Sequence, residues 1–100
     1  MTAVARDRRG RRIELRRIGV VEQLRLFKCL GPELAENRAY FGLARLAAMV
    51  SAIDDVPVPF PVSEAGLEAI LERLDEDGVE AVGTAAEAPR PEEIVADAGN

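Results

Sequence analysis

The sequence lacks the residues on which most small catalytic and metal sites depend. It has no histidine, so the commonest general base and the commonest metal ligand are both absent, and zinc sites of the Cys/His type are excluded. Cys29 is the only cysteine, which excludes a disulfide within the chain. Because Cys29 lies in an apolar run, we expect a small buried side chain in a reducing compartment rather than a reactive thiol.

Long uncharged runs are also missing. Charged residues interrupt residues 18–30, so this segment does not provide the apolar core of a signal peptide. Residues 39–53 are nearly uncharged, but they include Arg45 and are shorter than the ~20 apolar residues that a membrane-spanning helix needs. We therefore expect a cytoplasmic protein without a membrane partner.

No catalytic arrangement is recognisable. The sequence has no Gly-rich phosphate loop, and its candidate acid and base groups are carboxylates and amines without a partner pattern. The pair Asp54-Asp55 could mark an acid–base or cation site, but two adjacent acids between short extended pieces are typical of a turn. We predict no catalytic, cofactor or metal site, and we expect that the protein is not an enzyme.

Charge is distributed unevenly along the chain. The overall formal charge is −5, yet residues 1–28 carry a net charge of +6 and residues 54–100 a net charge of −11. Segments of such opposite charge favour contact within one chain or between neighbouring chains, and salt weakens both kinds of contact.

Residues 4–17 predict a β-hairpin. Asp7 suits the first position of a type I turn, and Gly10 suits the left-handed position that follows it. The alternation after the turn places Ile13 and Leu15 on one face, which predicts a half-buried strand.

The predicted hairpin is rich in arginine, and two interpretations remain open. The arginines could form a nucleic-acid-binding module, although no aromatic residues are interleaved for base stacking and the whole chain is acidic. The alternative is a solvated face of the hairpin. The arginines concerned are Arg6, Arg8, Arg9, Arg11, Arg12, Arg16 and Arg17.

Two helices are expected next. The first spans residues 20–30 and ends at Gly31-Pro32, since glycine favours a left-handed cap and proline cannot continue the hydrogen-bond ladder. Asn37 is a good N-cap for the second helix, predicted at residues 38–52. The apolar face expected for the first helix consists of Val20, Val21, Leu24, Phe27 and Leu30.

The second predicted helix is apolar on most of its sides, so most of its sides must be covered. It is therefore either the central core helix or a helix that meets another subunit or a client protein. The candidate contact residues are Tyr40, Phe41, Leu43, Leu46, Met49 and Val50.

Residues 53–61 predict a tight turn followed by an edge strand or fixed loop, because Pro57, Pro59 and Pro61 remove backbone donors. Ser63 is a candidate N-cap for a third helix that ends at Asp77-Gly78. Its apolar stripe is Leu67, Ile70, Leu71 and Leu74, and Val62 with Leu67 has the spacing of a hydrophobic staple. Its acidic face, formed by Glu64, Glu68 and Glu72, could meet the basic surface formed by Arg8, Arg9, Arg11 and Arg12 in the same or a neighbouring chain.

Together these patterns predict an α+β fold. We expect a small, predominantly helical domain with three main helices, an N-terminal β-hairpin and a short extended or hairpin segment at residues 53–61. Residues 1–82 would form this single domain, with residues 79–82 as its last packed turn. Residues 83–100 would form a flexible acidic tail.

The order of these features resembles small tail assembly chaperones of long-tailed bacteriophages and prophages. The resemblance covers about residues 4–82 and is carried by Gly10-Arg11-Arg12-Ile13, Leu24-Arg25-Leu26-Phe27, Leu30-Gly31 and Ile53-Asp54-Asp55-Val56-Pro57-Val58-Pro59. The most telling of these pieces is the one that begins at Ile53. Relatives often have glycine where this chain has Asp55, which leaves the turn type open.

The resemblance implies a non-catalytic role in the cytoplasm of a bacterial host. Proteins of this family bind the tape-measure protein, a long and largely helical chain, and help tail-tube subunits to assemble around it. For this chain we accordingly expect the tape-measure protein, and the tail-tube protein as a further candidate, as partners, together with homo-oligomer formation and client contact through the second helix. The alternative function is the small nucleic-acid-binding module described above.

Overall fold

The computed structural model describes residues 3–87, which form three helices and one antiparallel sheet. The strands are β1 (Ala3–Arg6), β2 (Arg12–Leu15), β3 (Val50–Ile53) and β4 (Val56–Pro57), and the helices are α1 (Val20–Glu36), α2 (Arg38–Met49) and α3 (Glu64–Glu87). The strand order is β1-β2-β3-β4. This architecture confirms the predicted α+β class with three main helices and an N-terminal hairpin.

The first hairpin has the predicted turn. The backbone N–H of Gly10 donates to the carbonyl oxygen of Asp7 at 3.0 Å, and Gly10 adopts a φ of +81°. This left-handed conformation favours glycine because it has no Cβ. Ile13 and Leu15 are both buried, as their alternation in the sequence predicts.

The second hairpin connects β3 to β4 through two residues. Ile53 pairs with Val56, and the intervening Asp54 and Asp55 have φ values of +48° and +67°. Two successive left-handed residues define a type I′ turn, whose twist matches that of the flanking strands. Pro57 lies in β4 at the edge of the sheet, where the missing proline N–H does not interrupt a ladder.

The predicted end of the second helix is wrong. Residues 38–49 are helical, but Val50 starts β3 and pairs with Leu15 of β2. A strand at this point buries Val50 and Ile53 and completes the ladder between the two hairpins. Pairing with a distant strand thus overrides the helical pattern of residues 50–52.

Local signals at the helix ends are confirmed. Gly31 has a φ of +80° and interrupts α1, which continues for one more turn to Glu36. The side chain of Asn37 accepts a hydrogen bond from the Tyr40 N–H at 3.1 Å. Ser63 Oγ likewise accepts from the N–H of Gly66 at 3.1 Å, so both predicted N-caps form.

The predicted hydrophobic staple does not form. Val62 is 89% exposed, whereas Leu67 is buried. The residue before Val62 in the chain, Pro61, is buried instead. The entry to α3 is therefore fixed by the Ser63 cap and by Pro61, and Val62 lies at the surface.

The predicted end of α3 at Asp77-Gly78 is also wrong, because α3 extends to Glu87. The helix breaks at Asp75, where φ is +57°, and resumes at the next residue. Gly78 is buried close to Leu74, which leaves no room for a larger side chain and explains a glycine within the second half of α3. The predicted domain boundary at residue 82 falls inside this helix, and the remainder of the predicted tail, residues 88–100, lies outside the described residues.

The core lies between the sheet and the three helices. It is built from buried side chains of β2, β3, α1, α2 and α3, and close packing between helices is helped by alanines on α2. The fully buried large side chains are Ile13, Leu26, Val50, Leu67, Leu74 and Val82.

Two helical glycines provide a matched test of this packing. Gly42 is exposed on α2 with open space around it, so Gly42→Ala should raise the free energy of unfolding by about 0.5–1 kcal/mol through helix propensity. A Cβ added at Gly78 would lie only 2.8 Å from the Leu74 Cβ, so Gly78→Ala should lower the free energy of unfolding by about 1 kcal/mol or more. Urea unfolding followed by circular dichroism measures both changes, and a stabilising Gly78→Ala would contradict the observed packing.

Candidate functional site

An exposed row of large apolar side chains on α1 is the candidate functional site. Val20, Leu24 and Val21 are 77%, 61% and 56% exposed, and Phe27 is also exposed. Val20, Leu24 and Phe27 follow one another at intervals of four and three residues, so they lie on one side of the helix. We call Val20, Val21, Leu24 and Phe27 the α1 surface.

The exposure of the α1 surface follows from an apolar pattern on two sides of the same helix. Leu26 and Leu30 are spaced by four residues and are both buried against the core. The side that carries Leu24 is rotated away from them, and only one side of a helix can face a given core. Of the predicted apolar face, which consists of Val20, Val21, Leu24, Phe27 and Leu30, only Leu30 is therefore buried in the core.

Helix α2 extends the α1 surface through an aromatic pair. The rings of Phe27 and Phe41 are stacked, with centroids 4.9 Å apart and an angle of 18° between their planes. Phe41 is partly buried against the core, so this pair ties the exposed row to the body of the protein. Stacking of this kind stabilises aromatic pairs beyond the area that they bury.

The residues predicted to contact a client on the second helix are mostly turned inward. Met49 and Val50 are buried, with only 7% and 0% of their surface exposed, and Val50 belongs to β3. Leu43 alone is exposed, on a different side of α2 from Phe41, since the two are only two positions apart in the sequence. The remaining three, Tyr40, Phe41 and Leu46, are partly buried against the core.

Tyr40 is half-buried on α2 and lies near the first acids of α3. Burial raises the pKa of its hydroxyl, and the nearby carboxylates of Glu64 and Glu68 raise the pKa further because they disfavour a tyrosinate. Two of the three acids predicted to meet the arginine hairpin thus lie near α2 instead.

A groove of about 760 Å³ lies beside the α1 surface, between α1 and the segment that leads into α3. Phe60, Pro61 and Val62 provide apolar lining on one wall. The opposite wall carries Arg25 and Lys28. This groove widens the area next to Leu24 that another protein could contact.

Cys29 also lines this groove but has no features of a nucleophile. Burial raises the pKa of the Cys29 thiol, and the negative charge of Glu64 raises it further. A raised pKa keeps the sulfur in its neutral, weakly nucleophilic form.

The hairpin arginines contact the acidic part of α3, but not through the acids predicted from the sequence. The carboxylate of Asp7 is fully buried and accepts hydrogen bonds from the Arg11 backbone N–H at 2.9 Å and from Arg11 Nε at 2.7 Å. The Arg11 guanidinium also donates to the carbonyl oxygens of Arg73 and Leu74. These carbonyls precede the break at Asp75, which removes the backbone N–H groups that would bond to them in a continuous helix. The Arg11 guanidinium supplies hydrogen-bond donors in their place.

Three other arginines of the hairpin, Arg8, Arg9 and Arg12, make ion pairs at the surface. Arg9 contacts Asp75 at 2.7 Å and Asp77 at 3.3 Å, and Arg8 contacts Glu80 at 3.1 Å. Hydrogen bonds from the Glu76 N–H and from Arg9 hold the pKa of Asp75 below its usual value. The remaining predicted arginine of this cluster, Arg12, pairs with Glu14 and Asp55.

These contacts bear on the nucleic-acid alternative. Within residues 3–87, none of the recorded ion pairs joins the hairpin to Glu64, Glu68 or Glu72. Arginines that already pair with acids of their own chain must lose those contacts before they can bind phosphate, which weakens the case for a nucleic-acid interface.

Asp54 has a structural partner. Its carboxylate accepts a hydrogen bond from the Arg12 backbone N–H at 2.8 Å, and its own N–H donates to the Arg12 carbonyl oxygen at 2.8 Å. The pair Asp54-Asp55 thus joins the second hairpin to the first. Among residues 3–87 no group of three or more acidic or cysteine side chains is arranged to hold a metal ion.

Comparisons with known proteins add no family to this description. No protein-family model, no curated protein and no solved structure matches the chain. In the part of the chain that the structure describes, no helix has the length and apolar character to cross a membrane.

The buried Asp7 carboxylate gives a testable pH dependence. Burial alone would raise the pKa of Asp7, but the hydrogen bonds and charge of Arg11 outweigh it and lower the pKa. Because the pKa of Asp7 is lower in the folded protein, its ionised carboxylate stabilises the fold at pH values above about 3.9, the pKa of an aspartate in an unfolded chain. This stabilisation is lost as the pH falls through the pKa of the folded state. Asp7→Asn should therefore cost about 2 kcal/mol of unfolding free energy at neutral pH.

Urea unfolding at a series of pH values measures this difference. The gap between wild type and Asp7→Asn should narrow below about pH 4, where Asp7 becomes protonated in the unfolded chain, and close as the pH falls through the lower pKa of the folded state. Glu80→Gln, which removes an exposed ion pair, is the matched control and should leave the stability nearly unchanged. A constant gap down to acidic pH would contradict the role given to the Asp7 charge.

Proposed function

We propose that this protein is a non-catalytic assembly chaperone that holds an apolar helical segment of another protein against the α1 surface. The observation that carries the proposal is the exposure of Val20, Val21 and Leu24 in a chain that already has a complete core without them. Large apolar side chains grouped on one side of a helix are typical of a protein-interaction site, whereas isolated ones need no explanation.

The client that we propose is the tape-measure protein of a long-tailed bacteriophage or prophage. The sequence resemblance supports this choice, and so does the helical form of such a client, because an apolar helix packs well along a helical row or groove. The chaperone would keep the client from aggregating in the bacterial cytoplasm while tail-tube subunits assemble around it. Homo-oligomer formation remains part of the proposal.

The proposed contact differs from the one expected from the sequence. The second helix supplies Phe41, whereas Leu43 lies on another side of it, and Met49 and Val50 are buried in the core. The main client contact is accordingly assigned to α1, with Phe41 as its link to α2.

A substitution at Leu24 tests the proposal. Leu24→Asp places a charge in the centre of the α1 surface, and burying a leucine is worth about 1.5–3 kcal/mol, so affinity for the client should fall by about tenfold or more. The measurement is copurification from cells that coexpress the chain with the tape-measure protein encoded in the same genome, followed by titration calorimetry of the purified pair.

Val56→Asp is the matched control, because Val56 is 53% exposed on β4 and lies outside the α1 surface. The control should bind like the wild type, and both variants should retain the wild-type circular dichroism spectrum. Undiminished binding by a folded Leu24→Asp variant would refute the assigned surface. A tape-measure protein that stays insoluble and unbound beside the wild-type chain would refute the function.

A further inference from the structure

Four cationic side chains lie beside the α1 surface and its aromatic extension on α2. On α1, Arg25 follows Val21 by four residues and Lys28 follows Leu24 by four residues. Residues four apart on a helix are neighbours on the same side, so each of these apolar residues has a cation one turn further along. Both cations are exposed, and both also line the groove beside α1.

The same arrangement occurs on α2. Phe41, which stacks on Phe27, lies between Arg38 three residues earlier and Arg45 four residues later. Helical spacing places both arginines on the Phe41 side of α2. They are exposed, so the apolar row of α1 and its aromatic extension have cations on both of the helices that carry them.

These four cations differ from the hairpin arginines in their partners. Arg8, Arg9, Arg11 and Arg12 all pair with acids of their own chain, whereas within residues 3–87 none of the recorded ion pairs involves Arg25, Lys28, Arg38 or Arg45. A second copy of the chain docked through the same surface would set the same cations against one another. The charge therefore favours a partner with acids at the matching positions.

We propose that the α1 surface binds an amphipathic helix whose apolar stripe is bordered by aspartate or glutamate. This inference rests on the proposed function and adds the charge class of the client segment. Val20, Leu24 and Phe27 form a row about 10 Å long, which matches roughly two turns of a partner helix. The apolar row provides the binding energy, and the surrounding cations select acidic borders and speed association.

Three synthetic helical peptides with the same leucine stripe test the charge class. Their border positions carry glutamate, glutamine or lysine, and their affinities for the full chain are measured by fluorescence anisotropy at low salt and at high salt. The glutamate peptide should bind at least about tenfold more tightly than the lysine peptide at low salt, with the glutamine peptide between them. High salt should reduce this spread, because it screens exposed charges.

A charge-swapped protein provides the sharpest control. The double variant Lys28→Glu with Arg45→Glu changes one cation on each helix at exposed positions, so its circular dichroism spectrum should be unchanged. Two cations and two acids then border the apolar row, so this variant should bind the glutamate and lysine peptides with nearly equal affinity, and the wild-type preference should be lost. Leu24→Asp should weaken binding of all three peptides.

The outcomes separate this inference from the proposed function. If the wild-type chain binds the three peptides equally and the Leu24→Asp variant binds all of them more weakly, the charge class is overturned and the apolar contact stands. Binding of none of them, or binding that Leu24→Asp does not change, would overturn both. Tighter binding to vesicles of phosphatidylglycerol than to the glutamate peptide would assign the surface to an anionic membrane, and self-association through Leu24 would assign it to a second copy. Either result would overturn the charge class of the client.

Discussion

The buried ion pair between Asp7 and Arg11 is the interaction on which the arrangement of the hairpin and α3 depends. A carboxylate without access to water must be fully hydrogen-bonded, and here the hairpin supplies the backbone and guanidinium donors. The pair fixes the guanidinium of Arg11, which then reaches the carbonyl oxygens that precede the break at Asp75. One residue pair thus stabilises a β-turn and the end of a helical segment that is distant in sequence.

Two groups of cationic side chains differ in their surroundings. Two hairpin arginines, Arg8 and Arg9, are matched by acids at Asp75, Asp77 and Glu80, so part of the opposite charge of the two ends of the chain is paired within the fold. The cations of α1 and α2 are instead exposed beside apolar side chains. The uneven charge distribution therefore serves the fold at one place and supplies the border of the α1 surface at another.

The elements that the sequence predicts correctly are those that depend on neighbouring residues. Gly10 and Gly31 take left-handed conformations, Asn37 and Ser63 cap their helices, and the apolar stripe of α3 is largely buried up to Leu74. Each of these outcomes follows from chemistry within a few positions of the chain, as turn and cap preferences do.

The rest depends on contacts between distant segments. Residues 50–52 continue an apolar helical pattern, and only pairing with β2 turns them into a strand. The break at Asp75 is compensated by Arg11, which no local pattern around Asp75 reveals. On α1 both the Leu24 side and the Leu26 side are apolar, so spacing alone does not decide which of them is buried. The exposed apolar row on α1 was not predictable from spacing for this reason.

The prolines at the sheet edge have a consequence for a protein that exposes apolar side chains. An edge strand with free N–H groups is a template on which further chains can pair and grow into fibrils. The outer strand β4 is only two residues long and includes Pro57, and Pro59 follows shortly after it. This edge of the sheet thus offers few backbone N–H donors on which another strand could pair. The protein can therefore expose an apolar surface on α1 without also promoting aggregation along β4.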